Sequence, residues 1–168
     1  MGGVPAVAPP PDLKARVAYL KAIRALMVEA SDSRKAWIRQ VGVLIVDAHN
    51  SPPQEIAHAA GASGTQQRAA FFSVRERVSA LDVPPGCEEC SDAFLAWLDK
   101  HLLACQILTE IAQTRDTLGL RSVQRVLAEA RTDGTAFSQS YAALVAPPRA
   151  RAAATKKKRR PARWPFSH

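Results

Sequence analysis

Apolar side chains return every three or four residues along almost the whole body of this chain, and prolines interrupt that rhythm at only a few places. A period near 3.6 marks a helix with one buried face and is incompatible with the strict alternation of a half-buried strand. Leu13, Val17, Leu20, Ile23, Met27, Ala30, Trp37, Val41, Leu44 and Ala48 form the first stripe, with Asp12 placed to cap its start. Arg34 breaks that stripe, and Ser31, Asp32 and Ser33 beside it have capping potential of their own. A kink, or two consecutive helices, is expected there. The β-branched run 41–46 would suit a buried strand, but the chain offers no strand to pair with it, so helix is the better reading.

Ser51, Pro52 and Pro53 end this first element, because a residue before proline avoids the α region. A second helix is expected over about 65–81 through Phe71, Val74, Val78 and Leu81. The segment 82–86, with Pro84, Pro85 and Gly86, makes a tight connection. The third helix spans about 88–115, with Phe94, Leu98, His101, Cys105, Leu108 and Ala112 facing inward. The fourth spans about 120–145 through Leu120, Val123, Leu127, Ala130, Phe137, Tyr141 and Leu144, with a fray or bend expected at Asp133 and Gly134. Pro147 and Pro148 close the domain.

The expected fold is therefore all-α: an antiparallel up-and-down bundle of four main helices over 12–146, between a flexible Pro-rich segment, 1–11, and a disordered basic tail, 147–168. A composition 47% hydrophobic but only 6% aromatic, with much alanine, suits closely packed helices. No apolar run is long enough to span a bilayer, and 1–11 has neither the basic nor the apolar region of a secretory signal. Three cysteines without an export signal point to a reducing, cytoplasmic setting rather than a disulfide framework. The first helix is long enough to project past the others, which makes a homo-oligomer through it an expectation.

Charge gives the sharpest functional signal. Eight of the 23 Lys and Arg residues fall after position 148, with no acid among them, and the remaining 15 balance the 15 Asp and Glu. The body is neutral and the tail carries the whole net charge of +8. Like charges with little to bury do not fold on their own, so the tail reads as an arm for a polyanion. Lys156, Lys157, Lys158, Arg159, Arg160 and Arg163 would neutralise phosphates, and Trp164 and Phe166 would stack on unpaired bases. An anionic membrane surface and an import signal are further readings of the same residues.

Two other clusters offer alternatives. The segment 54–72 runs through Ile56, Ala57, Ala60 and Gly61 to Ser63, Gln66, Gln67 and Arg68. It resembles a helix-turn-helix DNA-binding unit, which would turn at Ala60–Gly61 and present Gln66, Gln67 and Arg68 to base edges; Gln67 stands near the place where such a unit returns an apolar side chain. Cys87 and Cys90 form C-x-x-C, and with His101 and Cys105 they supply the donor types of a Cys3His zinc site or a redox pair. On one helix, however, His101 lies roughly 16 Å beyond Cys90 at about 1.5 Å per residue, and Glu88 and Glu89 disfavour thiolate. Glu55 and His58 share a helical face once, whereas di-iron bundles need that pair twice. No Gly-rich phosphate loop, G-x-S-x-G or H-E-x-x-H occurs. The sequence thus favours a non-enzymatic scaffold without a cofactor, with the DNA-reading and metal or redox proteins as alternatives.

Overall fold

The computed structural model describes residues 11–158, with side chains described over 12–146. Four helices follow one another: α1 (Pro11–Asp47), α2 (Pro53–Ser79), α3 (Glu88–Thr114) and α4 (Gly119–Lys158), with no strand among the described residues. Short connections force successive helices to reverse direction. The pairing agrees: Gly61 of α2 lies against Ala112 of α3 and Arg75 against Asp99, while Trp97 of α3 meets Gly134 of α4 and Phe94 meets Phe137. The bundle is antiparallel. Helix α3 sits between α2 and α4, and α1 lies mainly against α2 and barely meets α4.

Local signals explain each boundary. Asp12 falls in the first turn of α1, Glu55 in that of α2 and Glu88 and Glu89 in that of α3, where a negative charge suits the positive end of the helix dipole. Pro53 begins α2, a position where its missing N–H is no loss. Gly86, at φ 89°, makes the turn before α3, and its N–H donates to Glu88 at 2.8 Å. Arg115, left-handed at φ 59°, ends α3 with its N–H on the Ile111 carbonyl. The Asp116 carboxylate then accepts from the Leu118 N–H at 3.1 Å and leads the chain into α4.

Three expectations are corrected. Helix α1 is continuous through 31–34. Arg34 interrupts its apolar stripe because the guanidinium reaches inward to a polar partner on α3, not because the helix breaks. Helix α2 begins at Pro53 rather than near 65, so 54–72 is one uninterrupted helix and the turn required of a helix-turn-helix at Ala60–Gly61 does not exist. The small residues there serve contact: a Cβ on Gly61 would lie 2.5 Å from Ala112 Cβ, and one on Gly64 would lie 2.6 Å from the Cys105 carbonyl oxygen. Finally, α4 does not stop at Pro147 and Pro148 but continues to Lys158. The prolines remove two N–H donors, yet the residues that follow, mainly Ala, Arg and Lys, are strong helix formers. Helix α4 is continuous through Asp133 and Gly134, and Gly134 makes room for the Trp97 ring.

The core is one cluster running the length of the bundle, from Tyr19, Leu20 and Ile23 through Val74, Phe94, Leu98 and Leu108 to Val123 and Phe137. Its aromatic residues gather in the middle. Trp37 of α1 meets Phe71 of α2 edge-on at 5.4 Å, and Phe71 and Trp97 both flank His101, at 5.0 and 4.0 Å between ring centroids. No helix among the described residues is long and apolar enough to cross a membrane.

Candidate functional site

The bundle buries one histidine completely, His101, and the sequence pattern of α3 places it there. Its ring is fixed at both nitrogens: the Trp97 carbonyl lies 2.7 Å from Nδ1, and Arg34 donates from Nε to Nε2 at 2.7 Å. A guanidinium can only donate, so Nε2 is the acceptor and the proton sits on Nδ1, pointing at the carbonyl one helical turn back. Burial, with the nearby Arg34 charge adding to it, pushes the His101 pKa down to about 4, although the Trp97 carbonyl pulls the other way. His101 is therefore a neutral, oriented acceptor. On α2, one turn before Phe71, Gln67 donates to the Ser33 hydroxyl at 2.6 Å, so the adjacent Ser33 and Arg34 of α1 both make polar contacts across the core.

Arg34 is the functional candidate that sequence reasoning missed. It is half-buried, and burial together with the Arg131 charge depresses its pKa. The signal was its position inside an otherwise apolar stripe, but its partner is 67 residues away, beyond any local pattern.

The other candidates are dispersed. Cys87, Cys90 and Cys105 are all buried, free thiols, and burial raises each, Cys90 to about 11 and Cys105 to about 12. With both nitrogens of His101 engaged, the ring has no free lone pair for a metal, and no group of three or more His, Cys, Asp or Glu side chains able to hold an ion occurs among the described residues. A thiol probe at mildly alkaline pH is expected to label none of the three cysteines in the native protein and all three in denaturant. Rapid native labelling of Cys87 or Cys90 would restore a redox role.

Of the proposed DNA-reading residues, Gln66 and Arg68 are exposed on α2, whereas Gln67 is buried and occupied by Ser33. Glu55 and His58 are exposed and line an open groove of about 1170 Å³ between the start of α2 and the end of α3, among Gln54, Thr65, Gln66 and Gln113. Of the tail residues, Lys156, Lys157 and Lys158 belong to α4, while Arg159, Arg160, Arg163, Trp164 and Phe166 lie outside the described residues. Comparison with protein-family models, with curated proteins and with solved structures finds no match to this chain.

Proposed function

We infer that this protein is a non-enzymatic helical scaffold whose basic C-terminal segment holds nucleic acid through backbone phosphates, without reading sequence, in a cytoplasmic setting. The observation that carries the reading is the separation of charge: a neutral four-helix body and a tail that bears the whole of the +8. The course of α4 supports it. Leu144 is the last buried side chain described, and the helix backbone continues to Lys158, so Lys156, Lys157 and Lys158 stand on a helix continuous with the bundle. Val43 and Val46, both exposed near the end of α1, are where a second copy would meet the first.

The test is binding of the full chain and of a variant with Lys156, Lys157, Lys158, Arg159 and Arg160 replaced by alanine to labelled duplex DNA, single-stranded DNA and RNA across a salt series. The variant is expected to bind at least about tenfold more weakly, with a log–log salt slope shallower by up to about 4.5, since each of the five phosphate contacts contributes roughly 0.9. An unchanged affinity and slope would overturn the assignment. Binding to vesicles of anionic lipid, without binding to any nucleic acid, would overturn it in favour of a membrane surface.

A further inference from the structure

Arg34 is held inside the bundle without a counter-charge. Among the described residues the ion pairs involve Lys35, Arg75, Arg77 and Lys100, and no carboxylate lies within reach of Arg34. Its one inward hydrogen bond goes to a neutral ring, which orients the guanidinium without neutralising it. The neighbouring Arg131 adds a second positive charge. A charge drawn partly out of water with no opposite charge beside it is unfavourable, and the deficit is removed when an anion arrives.

Space for one is present. Where α1 and α4 stand apart, the surface opens into a cleft of about 380 Å³ that Arg34 lines. Trp97 and Phe137 form its aromatic side, Met27 its aliphatic side, and Ser31, Ser138 and Lys35 its polar border. No acidic side chain lines it. With Nε bound to His101, the two Nη groups keep four N–H donors in one plane, and they have no protein acceptor among the described residues. That fork matches the two oxygens of a carboxylate.

We propose that the cleft between α1 and α4 binds a small organic monoanion, a flat apolar body bearing one carboxylate, with the carboxylate on Arg34 and the flat body against Trp97 and Phe137. The Arg34 fork holds one carboxylate, and the exposed Arg131, which does not line the cleft, adds attraction from a distance without a contact of its own. The volume lies at the lower end of small-molecule sites, which run from about 300 to 1,000 Å³, and fits a ligand of one or two rings. Preorganisation favours binding: the Trp97 carbonyl fixes His101, His101 fixes Arg34, and the fork need not be ordered when the ligand enters. The site is independent of the basic tail.

The probe is 2-naphthoate, with the uncharged 2-naphthamide as control, titrated calorimetrically into the full chain. Saturable one-site binding of naphthoate is expected, at least about tenfold tighter than the amide, as loss of a charge-assisted hydrogen-bonded pair implies. Arg34→Gln should lose that tenfold advantage. Ser138→Trp, at an exposed position on the border of the cleft, should block it sterically while leaving thermal unfolding unchanged, and it decides the matter should Arg34→Gln fold poorly. Absence of saturable binding, equal binding of acid and amide, or naphthoate binding retained by Ser138→Trp overturns the proposal. The last result, combined with loss of binding in the variant lacking the cations at 156–160, would place the carboxylate on the tail.

Discussion

Gly64→Leu is expected to lower the stability of the protein by about 3 kcal/mol, the upper range for overpacking a closely fitted contact. A Cβ at this position would already lie 2.6 Å from the Cys105 carbonyl oxygen and 2.9 Å from Leu108 Cβ, and a backbone carbonyl cannot swing aside as a side chain can. Replacing glycine inside a helix normally contributes about 1 kcal/mol of helix propensity, which is too little to offset the forced separation of α2 and α3. The contrast is Gly42 on the outer face of α1, where a Cβ would meet nothing within 4 Å. Gly42→Ala should raise stability by roughly that 1 kcal/mol. Urea midpoints of the two variants are the measurement. If Gly64→Leu matched the parent protein, the close approach of α2 to α3 would be wrong and a loosely packed segment would stand in its place.

The second large effect is on pH dependence. His101 is fully buried and titrates near 4, while the same side chain in the unfolded chain titrates near 6.5. Between those values the unfolded state binds the extra proton, so stability rises with pH across this window. The neutral ring contributes its full share above about pH 6.5 and loses it as pH falls through 4, a difference of about 3 kcal/mol at roughly 1.4 kcal/mol per unit. Carboxylates held low by surface partners, such as Glu29 beside Arg77 and Glu129 beside Lys100, also weaken the fold in acid. Comparison with His101→Gln, which keeps an acceptor for Arg34 but cannot ionise, removes their share. The parent is expected to lose about 3 kcal/mol more than the variant between neutral pH and pH 4, measured by urea unfolding at each pH. Parallel curves would mean that His101 is not held neutral in the core.

Helix order and direction were legible because large apolar residues mark them. Ile23, Val74, Phe94, Leu98 and Val123 fall on their stripes and are all buried. The first half of α2 was not legible, for a physical reason: after Ile56 its buried face is Ala57, Ala60, Ser63, Gly64 and Gln67, and one large apolar residue is too few to register as a hydrophobic period. Glycines that permit close approach read locally like glycines that loosen a linker, and only the facing Cys105 and Leu108 distinguish the two. The end of α4 was misplaced because two prolines outweighed the helix-forming residues beyond them. The place of His101 was readable from its stripe. Its partner was not, because a hydrogen bond across 67 residues leaves no trace in spacing.

The polar contacts of α1 also determine where along its axis this helix can rest. Its apolar residues repeat so evenly that sliding by seven positions would still set hydrocarbon against hydrocarbon, offering Met27 or Val41 where Arg34 now stands. Either displacement would strand the His101 acceptor inside the core, and the one that brings Met27 there would also set Leu26 opposite the Gln67 amide, at a penalty of about 1–3 kcal/mol for each group left unmatched. Hydrophobic burial selects the face that α1 presents, and two hydrogen bonds act as the detent that stops it from creeping.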